Sequence, residues 1–127
     1  MEALATCHGI TYVNEALIGD PLDVKMFQEV GWVLDEPNDG VVLANVFPKG
    51  SDSYKNILLR RFDFTSALQR MSVIALNTSE QTYHSFVKGS PEKIMELSDK
   101  SSLPDDYEAV LELYTQEGYR VIALAQK

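Results

Sequence analysis

Six short runs rich in branched aliphatic and aromatic residues restrict this chain more than anything else in it. They lie at residues 32–34, 41–47, 57–62, 70–76, 82–88 and 120–125. Such residues suit a pleated, half-buried surface. Parallel neighbours need a crossover of a dozen or more residues, and most gaps between these runs are too short for one, so the sheet they form is expected to be mainly antiparallel. Three stretches carry helical signals instead. Residues 1–7 read as a short helix stopped near Gly9. Asp20 and Pro21 open a clearer one, in which Leu22, Met26, Phe27 and Val30 recur at helical spacing and Gly31 closes the last turn, leaving Asp23, Lys25, Gln28 and Glu29 toward solvent or a site. Residues 105–117 repeat Tyr107, Val110, Leu111 and Tyr114 at the same period and stop at Gly118. The expected fold is therefore α+β, with a mainly antiparallel sheet of about six strands flanked by helices. Residues 35–40 and 48–53, with their Pro, Gly and small polar residues, read as mobile connections.

Chemistry concentrates at Lys88-Gly89-Ser90-Pro91-Glu92. A lysine ends an apolar strand there, and a helix begins at once: Ser90 suits the cap, Pro91 the first position and Glu92 the positive end. Gly89 removes a side chain at the bend, so that a flat ligand could lie close, with the Lys88 stem along one face and its ammonium near an anionic group. The same residues also read as a plain strand-to-helix connection.

The 127 residues suffice for one domain with a single core, and two do not fit. With 19 Asp and Glu against 11 Lys and Arg, the formal charge of -8 repels polyanions, so nucleic acid is not an expected partner. A phosphate ligand would need a local cationic cluster drawn from Arg60, Arg61, Arg70, Lys88 and Arg120, helped by a Mg²⁺ ion that travels with it. Cys7, the single cysteine, allows no internal disulfide, fits a reducing compartment and with His8 makes no structural zinc site. No run approaches the roughly 18 apolar residues that cross a bilayer, so no membrane contact is expected. His8 and His84 sit in no nucleophile–base arrangement, which leaves no catalytic residue to assign.

Four separated stretches agree on one family. In order, Gly19-Asp20-Pro21-Leu22-Asp23, Phe64-Thr65-Ser66-Ala67-Leu68-Gln69-Arg70-Met71-Ser72-Val73, Lys88-Gly89-Ser90-Pro91-Glu92 and Gly118-Tyr119-Arg120-Val121-Ile122-Ala123-Leu124-Ala125 resemble the signature blocks of the nucleotide-binding domain of P-type ATPases. Leu68-Gln69-Arg70-Met71-Ser72-Val73, with Ala5-Thr6-Cys7-His8, most resembles the fifth class of these pumps. Within that class it resembles the B branch, associated with polyamine export from endosomes and lysosomes.

The resemblance spans nearly the whole chain and implies one nucleotide-binding domain over residues 1–127. Phe64 would stack on adenine, Lys88 would lie on the other side of the base, Asp23 would face the adenine edge and Arg120 would reach the phosphates, with Gln69 and Gly89 completing the site. The residue types suit these roles: an aromatic face for a purine, a carboxylate for an exocyclic amine, a guanidinium for phosphate. Each also has a plain reading, Phe64 as core, Asp23 as a favourable charge in a first helical turn and Arg120 as an exposed strand residue. Ser66 and Gln69 stand where many of these pumps carry cations. The phosphorylated Asp of the family's Asp-Lys-Thr-Gly-Thr block is absent, so the domain alone is not expected to turn over ATP.

What the resemblance implies is thus a cytosolic domain of an ATP-driven translocase in an endosomal or lysosomal membrane. It would bind Mg-ATP or ADP, work with the phosphorylation and actuator domains of the same parent chain, be monomeric by itself and have neighbouring termini. The competing expectation is a degenerate site serving regulation or protein interaction.

Overall fold

The computed structural model describes residues 1–51 and 55–127. Helix α1 (Glu2–Thr6) is followed by a hairpin of β1 (Thr11–Val13) and β2 (Ala16–Ile18), then by helix α2 (Pro21–Val30). Six strands come next: β3 (Trp32–Asp35), β4 (Ala44–Pro48), β5 (Asn56–Thr65), β6 (Arg70–Asn77), β7 (Thr82–Gly89) and β8 (Ala123–Gln126). They pair in sequence order, every neighbour antiparallel, so the fold is the expected α+β arrangement. Between β7 and β8 the chain makes α3 (Pro91–Leu97), a 3-10 turn and α4 (Tyr107–Gln116). Part of the expected connection at 48–53 lies outside the described residues.

Alternation along β6 shows how the sheet is buried: Met71, Val73, Ala75 and Asn77 are buried while Arg70, Ser72, Ile74 and Leu76 are half-covered. The buried face meets α1, α2 and the segment between them. Ala5, Ile10, Phe27, Leu34, Val46 and Leu58 belong to one apolar cluster, and Cys7, Met71, Val73, Ala75 and Phe86 form a second. Burying a side chain such as Phe27 stabilises by about 1.5–3 kcal/mol. Helix α1 lies against β7 and β8, so the first and last elements are neighbours.

Helix α2 has the ends its sequence specifies. The Asp20 carboxylate accepts from the Leu22 N–H at 2.9 Å, Pro21 occupies the first turn, and Gly31 at φ 68° takes the left-handed cap. Of the residues expected toward solvent or a site, Asp23 is buried and lines a cleft. Strand β4 starts at Ala44, because the Asp39 carboxylate accepts from the N–H groups of Val41 and Val42 and holds that stretch in a turn. Strand β8 starts at Ala123, and residues 120–122 run free of the ladder. The β1–β2 hairpin was not expected. Its turn places Asn14 and Glu15 at φ 48° and 66°, and the Glu36 carboxylate binds it by accepting from the Thr11 hydroxyl and the Tyr12 N–H.

Strand β5 changes character half-way. Register shifts at Leu58/Arg60 and Phe62/Thr65 break its alternation, and every residue from Arg60 to Thr65 is exposed. Phe64 is therefore not core; 59% of its surface is open.

Candidate functional site

Four segments meet at one end of the sheet: the first turn of α2, the β5–β6 turn, the step from β7 into α3, and residues 120–122 before β8. They border a cleft of about 420 Å³. Asp23, Phe64, Gln69, Lys88, Gly89 and Arg120 all line it. Leu22, Met71, Val121 and Ile122 add apolar wall, which the sequence reading did not assign to a site because the last two resemble ordinary strand residues.

Pairing of β6 with β7 sets Met71 opposite Lys88 and Arg70 opposite Gly89. The preceding turn folds back on itself, with the Thr65 carbonyl accepting from the Gln69 N–H at 2.8 Å and Gln69 at φ 52°. Its carbonyl then accepts from the Ser90 N–H at 3.1 Å, tying the turn to the start of α3. Gly89 sits against this contact. A Cβ there would run into the Gln69 carbonyl oxygen and lie 2.9 Å from the Arg70 Cβ. The close approach that Gly89 permits is made by the chain's own backbone at Gln69, while Gly89 itself lines the cleft.

Lys88 and Asp23, assigned separate tasks in the sequence, meet each other in the structure. The Lys88 ammonium donates to Asp23 Oδ1, and the two side chains are only 10% and 9% exposed. An unpaired ion at that depth would cost several kcal/mol, so each is the other's compensation. The ammonium expected near anionic groups is held by this carboxylate at the cleft floor. Arg60 lies over the Phe62 ring at 5.0 Å and Arg61 pairs with Asp63 at 2.7 Å, and neither these two nor Arg70 lines the cleft. Arg120 is exposed and makes no ion pair among the described residues.

The C-terminal end of α1 lies near the pair. Cys7 Sγ is 3.6 Å from the Phe86 carbonyl, and burial pushes its thiol up to about 11 despite the Lys88 charge. His8 Nε2 donates to the Ala5 carbonyl at 2.7 Å, and Nδ1 has no hydrogen-bond partner among the described residues. Burial holds this imidazole down to about 4, so it is neutral near pH 7. Elsewhere, Val110, Leu111 and Tyr114 of α4 face residues 121–123 across a second, apolar cleft of about 330 Å³. Among the described residues no group of three His, Cys, Asp or Glu side chains could hold a metal ion, and no helix is long and apolar enough to cross a membrane.

The chain matches no family model. It is 38% identical over 156 residues to "Vacuolar cation-transporting ATPase YPK9" of Saccharomyces cerevisiae, a match that takes in 98% of this chain and 11% of the yeast protein. It is 37% identical over 142 residues to "Polyamine-transporting ATPase 13A2" of Homo sapiens, covering all of this chain and 12% of that protein. With "Probable cation-transporting ATPase catp-6" of Caenorhabditis elegans it shares 37% identity over 141 residues. This chain is homologous to one region of the cation- and polyamine-transporting ATPases. It spans about a tenth of the length of these relatives.

Proposed function

We propose that the domain binds ATP by its adenine end and presents the γ-phosphate to an aspartate on another domain of a P-type transport ATPase. The observation that carries this reading is the convergence on one cleft of residues drawn from all four signature stretches. A cleft of about 420 Å³ falls in the range of small-molecule sites. Phe64 offers an exposed aromatic face at its edge, Asp23 a carboxylate acceptor on its floor, and Arg120 an uncommitted guanidinium at its mouth. The domain's share of catalysis is positioning. Magnesium would arrive with the nucleotide, held by its phosphates. The relatives' names, one a vacuolar cation-transporting ATPase and one a polyamine-transporting ATPase, support a cation pump with polyamine as cargo; an endosomal or lysosomal membrane, with the domain on its cytosolic side, belongs to the same proposal. The phosphorylation and actuator domains of the parent chain are the partners this reading requires.

Titration of ATP, ADP and AMP with chemical-shift mapping tests it. With Arg120 the one uncommitted cation among the described residues that line the cleft, ATP and ADP are expected to bind about equally, with Kd on the order of 0.1 to several mM. Shifts should centre on Phe64, Gln69, Lys88 and Arg120. Absence of binding at about 10 mM ATP, or shifts centred elsewhere, would refute the proposal and favour a regulatory or protein-interaction role.

A further inference from the structure

Resting on the nucleotide reading, we infer that Lys88 is a positioning residue, holding the Asp23 carboxylate for the ligand's base while taking no part in binding phosphate. A lysine beside a nucleotide cleft is ordinarily read as a phosphate ligand or as a cover for the base. Here the ammonium donates to Asp23 Oδ1. Moving it to a phosphate would strip a carboxylate that is 91% covered of its counter-charge, and among the described residues neither His8, which is neutral, nor Arg61, which is paired with Asp63, replaces it. The other Asp23 oxygen accepts no hydrogen bond among the described residues and is not among the sealed, unpartnered atoms, so it remains an acceptor for the cleft.

Three consequences follow. The cleft floor carries no net charge, since the cation and carboxylate cancel. Selection is made at the base, where the free carboxylate oxygen accepts from an exocyclic amine and repels a carbonyl in its place. Among the described residues that line the cleft, attraction that grows with phosphate number falls to Arg120. The ligand class is therefore the adenine nucleosides and nucleotides, adenosine included, rather than nucleoside triphosphates as such.

The test compares adenosine, inosine and ATP binding to the whole chain with Lys88 intact, as Lys88→Met, and with Arg120→Gln. Lys88→Met is expected to weaken adenosine and ATP by the same factor, roughly tenfold, and to erase the preference for adenosine over inosine. A lysine that only supported the fold would leave that preference intact. Arg120→Gln is expected to weaken ATP and spare adenosine. Should Lys88→Met fail to fold, the Lys88 ¹³Cε resonance of the unaltered protein reads the same point, because adenosine and ATP should move it equally. A loss in Lys88→Met confined to ATP, or a Lys88 shift seen with ATP and absent with adenosine, would overturn the inference and leave the nucleotide reading standing. If the unaltered chain binds neither ligand, both fall together.

Discussion

Removing the Lys88 charge should cost the domain much of its stability, and the size of that cost measures how dry the ion pair is. With both side chains about nine-tenths covered, Lys88→Met leaves the Asp23 carboxylate buried without a counter-ion. Breaking such a pair from one side costs about 3–5 kcal/mol, out of a total near 5–15 kcal/mol for a domain of this kind. Replacing both partners with apolar groups removes the uncompensated charge along with the pair. Asp23→Leu with Lys88→Met should therefore lie within about 1 kcal/mol of the parent, the residue of the loss coming from a favourable acidic charge in the first turn of α2. Urea unfolding followed by the fluorescence of Trp32, the single tryptophan, reads all four proteins. At a slope of about 2 kcal/mol per molar, Lys88→Met should bring the midpoint down by about 1.5–2.5 M, and the double variant should recover most of that shift. The cycle should give a coupling of at least about 2 kcal/mol. A single-variant loss under about 1 kcal/mol, the range of solvent-exposed pairs, would refute the reasoning, as would strictly additive losses.

Phe64→Ala should remove roughly 1–3 kcal/mol of ATP binding, by analogy with base stacking on aromatics, and leave the urea midpoint nearly unchanged, because the ring is 59% exposed. A variant that no longer unfolds cooperatively would return Phe64 to the core. Gly89→Ala should destabilise by about 1–3 kcal/mol, since the new methyl meets backbone at Gln69 and Arg70 rather than the end of a flexible side chain, and it should shift the amide resonances of the β5–β6 turn. A variant as stable as the parent would show that this contact is loose. His8 gives a pH dependence with a definite sign. Its folded value of about 4 lies below the ordinary 6.5, so its contribution is complete above pH 6.5 and is lost as pH falls toward 4, by up to about 3 kcal/mol. Urea midpoints from pH 7.5 to 4.5 should fall more steeply for the parent than for His8→Gln, and parallel curves would refute the assignment.

How far the fold could be read from the sequence followed how local each determinant was. Helix α2 carries its own punctuation in Asp20, Pro21 and Gly31, and its bounds are those the sequence implied. The antiparallel order followed from short connections. Where an outcome needed a partner, sequence reasoning stopped short. Val121 and Ile122 look like strand, yet the ladder with β7 begins only at Gly89↔Ala123. The β1–β2 hairpin turns at Asn14-Glu15 without a glycine, so the strongest short-range hairpin signal was missing, and its anchor Glu36 lies more than twenty residues further along.

The site divides in the same way. The family resemblance named the six positions, and the fold brings all six to one cleft, but the resemblance gave each a separate task. Asp23 looked like a helix-end charge and Lys88 like a free cation because 65 residues separate them, and nothing in either neighbourhood marks the other as its partner. The burial of β6 supplies the missing step. Met71 fills the buried face directly opposite Lys88, so a lysine at that point of β7 projects into the layer between sheet and helices rather than into water. A cation placed there must be met by a carboxylate, and the first turn of α2 is what the fold sets above it. The pair is thus a consequence of the register, and any account of nucleotide recognition at this cleft has to begin with Lys88 already engaged.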